Sequence, residues 1–196
     1  MSEPPRVGVL GARSLVGRFL LPVLVRRGHA VLAVSRSAPQ TAAATDAGIH
    51  WCRPGTLRPA GDDHVNSWVA LCPLWVVADH AAWLEQLACR RLVALSSTSV
   101  ETKRESPAAA ERRLATRLAA AEAELLAWAD SRGIALTILR PTMIYDGVAD
   151  GNVTAIAACV RWLGWFPLSG PATGLRQPVH AGDVAAACLA ALEDEP

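Results

Sequence analysis

The chain has 196 residues, 52% hydrophobic and 19% charged, which is enough apolar mass for one cored domain and excludes a disordered chain. Its 19 basic and 18 acidic residues leave a net charge of +1. No long run of like charge offers a nucleic-acid groove or a polybasic membrane patch.

Five cysteines (Cys52, Cys72, Cys89, Cys159 and Cys188) form no C-x-x-C pair and do not join histidines at metal-ligand spacing. The expectation is free thiols, no metal and a reducing compartment. The opening MSEPPR lacks the apolar core of a signal peptide. Apolar stretches near 15–25 and 153–168 are short of a membrane span and are broken by Arg18 and Arg161. A cytoplasmic protein with no nucleic-acid or membrane partner is expected.

Apolar runs alternate with amphipathic stretches throughout. The first run, Arg6–Leu10, stops at Gly11 and leads to a helix-like stretch at 14–28. Pro22 lies inside that stretch, where its missing donor and its crowding of the Arg18 carbonyl predict a kink or a weak early turn. Strands are expected at Ala30–Ser35, Ile49–Trp51 and Ser67–Leu71, with a helix near 41–47 between the first two. A helix near 80–89 precedes a strand at Leu92–Ser96. The next helix, 107–131, has the clearest bounds: Ser106 to cap it, Pro107 in its first turn and Gly133 to stop it. A strand at Ala135–Leu139, a helix at 152–163, a weaker strand near Pro178–His180 and a helix at 182–192 complete the chain. This alternation predicts an α/β fold, a doubly wound, mostly parallel sheet covered on both faces, as one domain over residues 1–196.

The turn GARSLVG, Gly11–Gly17, has the outline of a diphosphate cradle. Gly11 permits a backbone conformation that other residues resist, and Gly17 lets the helix pack closely. Ser14 stands between them, where the backbone approaches the phosphates; its hydroxyl suits either a phosphate oxygen or a helix cap. The second strand ends in Ser35 and Arg36, with no acidic residue until Asp46. A carboxylate there would select NAD, whereas an arginine pairs with the 2′-phosphate of NADP. NADP is therefore preferred over NAD, unless Arg36 is simply solvated.

Four segments in order now resemble the NAD-dependent epimerase/dehydratase family, the extended and atypical short-chain dehydrogenase/reductases. GARSLVG is similar to the family's GxxGxxG loop with Ser14 at the middle glycine. RLVALSSTSV (91–100) resembles its fifth strand and Ser/Thr cluster, and GIALTILRPTMIY (133–145) its sixth strand and RP-x-x-x-Y segment. QPVHAGDVAAACLAAL (177–192) is similar to its hVdDva segment. The resemblance implies an NAD(P)-binding Rossmann-like fold. It implies cofactor contacts at Gly11, Arg13, Ser14, Leu15, Val16, Gly17, Ser35, Arg36, Cys72, Pro73, Ser96, Ser97, Pro141, Thr142 and Met143, and an unknown small-molecule substrate.

Two departures qualify that implication. The family's chemistry uses Y-x-x-x-K on the helix after the fifth strand: the tyrosine moves a proton, and the lysine holds the ribose and lowers the phenol's pKa. Here Tyr145 is the only tyrosine and Lys103 the only lysine, 42 positions apart and in the wrong order. Arg113 and Arg117 have the missing pair's spacing. Arg117 could hold the ribose but cannot act as acid or base near neutrality, and Thr98, matched to the family's third Ser/Thr position, could orient a carbonyl. The alternative is a solvated helix face paired with Glu111 or Glu122. The second departure is length: family members continue well past the HAGDV segment, so a substrate lobe is expected to be short or missing.

Two functions stay open. One is an oxidoreductase or epimerase with a relay rebuilt around Thr98, Arg117 and water; the other is a non-catalytic dinucleotide-binding regulatory or scaffold protein. Asp183 is expected to cap the last helix and Asn152 the one before it, while Trp75 and Trp128 read as core or interface. Trp162, Trp165 and Phe166 form an apolar patch suited, if exposed, to homo-oligomerisation or to another partner.

Overall fold

A computed structural model describes residues 5–38, 48–56, 64–151, 153–165 and 177–194. The expected helix at 41–47, Asp46, Asn152 and Phe166 lie outside the described residues. Six strands form one parallel sheet: β1 (Arg6–Leu10), β2 (Ala30–Val34), β3 (Ile49–Cys52), β4 (Ser67–Ala70), β5 (Arg91–Leu95) and β6 (Ala135–Leu139). Their order is β3-β2-β1-β4-β5-β6. The chain therefore leaves β1 toward one edge, then crosses back to build the other half from β4. That reversal opens a crevice at the carboxyl ends of β1 and β4.

The strands are apolar on both sides because helices cover both faces. On one face α1 (Gly17–Arg26) and α7 (Ala181–Glu193) pack Leu20, Leu24, Val184 and Cys188 against Val7, Val9, Val69 and Val93. The other face carries α2 (Leu74–Ala78), α3 (Ala81–Gln86) and α5 (Ala109–Arg132), whose Leu74, Val77, Leu84, Ala121 and Leu125 meet Leu10, Leu32, Trp68 and Leu92. Successive residues of β1 serve opposite faces, as strand geometry requires.

Trp68 is the largest wholly buried side chain, and its indole N–H donates to the Val65 carbonyl at 2.6 Å. It lies across Gly8, its neighbour in the β1–β4 register; a Cβ at Gly8 would sit 2.3 Å from the ring. A glycine inside a strand marks such an approach, although here it reads only as part of an apolar run.

Three short elements have no counterpart in the sequence reading: α2, α4 (Ser99–Thr102) and β7 (Ile144–Tyr145). β7 pairs in parallel with β8 (Val179–His180) in a separate two-stranded sheet. Helix α1 starts at Gly17 rather than 14, because 14–16 form the turn, and Pro22 lies within it. The start of α5 also differs: Ala108 is the N-cap, and Ser106 instead accepts from the Ala108 amide at 3.2 Å while donating to Glu111 at 2.6 Å. Gly133 does close α5, in the left-handed conformation with φ 60°. Helix α6 (Val153–Leu163) buries none of its side chains, and Trp162 is 85% exposed.

Gly8→Ala should lower the unfolding free energy by about 3 kcal/mol, the upper range for overpacking a tight core. Urea denaturation followed by tryptophan fluorescence measures it.

Candidate functional site

The crevice is bounded by the β1–α1 turn, the β2 end and the segment after β4. Gly11 has φ +73°, and a Cβ there would come within 2.9 Å of the Cys72 amide nitrogen. Gly17 brings α1 against the turn so closely that a Cβ would lie 2.1 Å from the Ala12 carbonyl oxygen. The Gly11 and Ala12 amides donate to the Val34 carbonyl, at 3.0 and 3.1 Å, and the Ser14 amide to the Gly11 carbonyl at 2.8 Å. The Ser14 hydroxyl accepts from the Gly17 amide at 3.1 Å, so this side chain caps the first turn. Among the described residues, the amides of Arg13, Leu15 and Val16 have no such partner. Three open donors at a helix N-terminus, in a turn too tight for side chains at its glycines, fit a diphosphate.

Two arginines flank the β2 end. Arg13 donates to the Ser37 carbonyl at 2.9 Å, which fixes it over the turn where the Ser35 and Ser37 hydroxyls lie 3.3 Å apart. Arg36 is exposed, and its charge reaches Cys72 across the crevice. Burial nonetheless dominates that thiol and pushes it up to about 11, so it is no thiolate near neutrality. Pro73 is the N-cap of α2.

Beyond β5, the Ser96 amide donates to the Leu139 carbonyl at 2.8 Å and the Ser97 hydroxyl to that of Ser99 at 3.0 Å. The Thr98 amide donates to the Pro141 carbonyl at 3.1 Å, and the Thr98 hydroxyl points to the same oxygen at 3.5 Å. These bonds hold the β5 and β6 ends together. Thr142 donates to the Gln177 carbonyl, and the Met143 carbonyl accepts from the Val179 amide at 3.0 Å, joining the segment between β6 and β7 to β8 and the residues before it. Arg117 stacks its guanidinium 3.9 Å from the Trp75 ring centre, so its charge is held against an indole rather than by Glu111 or Glu122. Glu111 pairs with Lys103 at 2.9 Å, and Glu122 with Arg140. Burial opposes the charge on Glu122, but the Arg140 bonds and cation outweigh it and hold the carboxyl below its ordinary range.

Several other titratable groups of this end make local structural bonds. His180, not Asp183, is the N-cap of α7: its Nδ1 accepts from the Gly182 amide at 3.1 Å, and Asp183 lies in the first turn. Phe19 and Tyr145 meet the His180 ring edge-on, with centroids 5.1 and 5.4 Å away. Asp146 accepts from the amides of Val148, Ala149 and Asp150, and pairs with Arg18 of α1 at 3.0 Å. Asp150 accepts from the Thr154 hydroxyl and amide at 2.6 and 3.0 Å, tying this loop to α6. From the sequence, DGNV at 150–153 reads as a turn into a helix, but Asp146 is missed, although D-G-V-A-D-G carries the turn chemistry of aspartate. The Arg18–Asp146 pair spans 128 positions and has no local signal.

No family model matches the chain, and no curated protein matches it in sequence. Solved structures do match in shape. UDP-N-acetylglucosamine 4-epimerase from Bacillus cereus superposes with a TM-score of 0.71 at 13% identity, over 97% of this chain and 72% of its own. MoeE5, solved with UDP-glucuronic acid and NAD, gives 0.72 at 22%, over 97% and 73%. Vestitone reductase from alfalfa gives 0.63 at 17%, over 97% and 74%. The chain has the epimerase and reductase fold. It spans about three quarters of these epimerase-type and reductase chains. No helix among the described residues is long and apolar enough to cross a membrane.

The 146–150 loop gives a pH prediction. The Thr154 hydroxyl and the amides around Asp150 hold its carboxyl well below the ordinary range, and the Val148 amide with its neighbours and Arg18 does the same for Asp146, each against the opposing effect of burial. A depressed folded-state pKa stabilises in full above the unfolded value, and the contribution fades as pH falls through the folded one. The melting temperature should therefore decline below about pH 4. Asp150→Asn should melt lower at pH 7 and decline less steeply in acid, measured by differential scanning fluorimetry.

Proposed function

We propose that the crevice binds NAD(P), with NADP preferred, and that the protein is an epimerase/dehydratase-like dinucleotide protein without the family's usual proton relay. The carrying observation is the β1–α1 turn. Gly11 is pressed against the Cys72 amide, Gly17 against the Ala12 carbonyl, and the Arg13, Leu15 and Val16 amides are left to an anion where the strand order reverses. These amides would hold the diphosphate. Arg13 and Arg36, beside Ser35, would hold a 2′-phosphate. Pro141, Thr142 and Met143, with Ser96 and Ser97, would flank the nicotinamide, and Cys72 and Pro73 the adenosine half. A bound nicotinamide supplies or accepts a hydride.

The proton side of such a reaction finds little in this chain. Lys103 is paired with Glu111, and Tyr145 is packed edge-on against His180. Arg117 is a permanent cation stacked on Trp75. Thr98 can orient a substrate oxygen but cannot supply a proton at neutral pH unaided. These placements favour the second reading, a non-catalytic protein whose dinucleotide stabilises the fold by mass action and sustains a surface for a regulatory or scaffold role. Turnover, on the first reading, would run through water held by Thr98, on a small carbonyl or hydroxyl substrate.

Titration with NADPH should raise the melting temperature more than NADH at equal concentration. Arg36→Glu should weaken NADPH roughly ten- to a hundredfold, the loss of a charge-assisted contact, and leave NADH nearly unchanged. No stabilisation by either coenzyme would refute the binding site, and equal weakening of both would refute the NADP preference. Oxidation of NADPH above background by a panel of carbonyl compounds would retire the non-catalytic reading.

A further inference from the structure

Helix α5 turns one stripe toward the sheet: Ala115, Leu118, Ala121, Glu122, Leu125 and Ala129 are its buried residues. Steps of three and four mark a core face, where an apolar side chain is the rule. Glu122 breaks that rule with only 5% of its surface exposed. Among the described residues Asp150 is the other buried charged side chain, and it fastens the loop that starts α6.

Both oxygens of Glu122 go to Arg140. Nε donates to one at 3.0 Å and Nη2 to the other, a two-pronged grip that fixes the plane of the guanidinium. Nη1 donates to Glu101 of α4 at 3.3 Å. Arg140 stands between the two carbonyls that fasten the β5 exit: Leu139 accepts from the Ser96 amide at 2.8 Å, and Pro141 from the Thr98 amide at 3.1 Å. The buried Ser96 hydroxyl also pulls on the Glu122 carboxylate, without reaching hydrogen-bond geometry. One carboxylate therefore grips the junction of two segments, from a helix whose Ala121 and Leu125 are locked in the core.

Such a pair is a poor source of stability. A buried carboxylate gives up its hydration, and exchanging a buried ion pair for apolar groups of similar volume is often neutral or stabilising. Glu101 adds little, because its side chain is 64% exposed. What the fork supplies and apolar contact does not is direction: the guanidinium is held in one plane, so the chain leaves β6 at one angle. We infer that Glu122 is a positioning residue of the crevice: through Arg140 it sets Ser96–Thr98 and Pro141–Met143 as the wall that receives the nicotinamide half of the dinucleotide. What lies on the wall rests on the dinucleotide reading; the wall itself rests on the ion pair.

Glu122→Leu combined with Arg140→Met removes both charges at similar volume. The double variant should keep the parent's circular dichroism and melt no lower. Hydrogen exchange without ligand should show the Ser96 and Thr98 amides roughly tenfold faster, and those of β1 as slow as before. Calorimetric titration then compares NADPH with 2′-phosphoadenosine 5′-diphosphate, which carries the phosphates but no nicotinamide half. NADPH should weaken roughly tenfold and the fragment less than about twofold. Unchanged exchange at Ser96 and Thr98 overturns the positioning, whatever the coenzyme does. Equal weakening of NADPH and the fragment also overturns it, as do undiminished NADPH binding and a markedly lower melting temperature, which makes the pair a stabiliser of the fold. A parent that binds neither compound overturns the dinucleotide reading, and with it the wall's role in binding. Should the double variant fail to fold, Glu122→Gln keeps the size and one acceptor oxygen, and it must show the same faster exchange and the same split between the two ligands.

Discussion

The fold turns on one close approach: Gly17 of α1 against the carbonyl of Ala12, in a space that no side chain can enter. That contact sets the angle at which α1 leaves the turn and brings Leu20 and Leu24 down on Val7 and Val9. The same turn leaves the amides of Arg13, Leu15 and Val16 without a partner among the described residues. Gly11 completes the constraint from the other side, because its Cα faces the Cys72 amide after β4. Two strands adjacent in the sheet but 60 residues apart in sequence are thereby fixed together at the point where a ligand would lie. Stability and binding thus draw on the same backbone geometry, and a side chain at either glycine disturbs both.

Most of the sheet was legible because its strands are short apolar runs bounded by turns. Arg6–Leu10 and Ala135–Leu139 lie where the pattern puts them, and Gly133 stops α5 as its position after a long helical stretch indicates. What the pattern does not carry is pairing at a distance. Ser106 looks like a cap from its place before Pro107, yet its hydroxyl is taken by Glu111, and the helix begins later. Asp183 has the right residue type for a cap, but His180 reaches the Gly182 amide first. The short α2 and α4 have too few residues for periodicity to register.

The crevice shows the same division. The glycines and Ser14 were readable from spacing, whereas the anchoring of Arg13 on Ser37 and the stacking of Arg117 on Trp75 depend on which loops meet in space. The absence of the Tyr-Lys pair, by contrast, needed only a count of residue types. That count stands apart from the fold, which the matched structures share at 13 to 22% identity.

Arg18 directly follows Gly17, close to the anion-facing end of α1, yet its partner is Asp146, a carboxylate with only 2% of its side chain exposed. The guanidinium side of this pair stands open to solvent, with 54% of the Arg18 side chain exposed. Because mobile counter-ions reach its guanidinium side, the pair that anchors the first turn of α1 to the loop launching α6 weakens as the electrolyte thickens, and that junction is where added salt should loosen the molecule first.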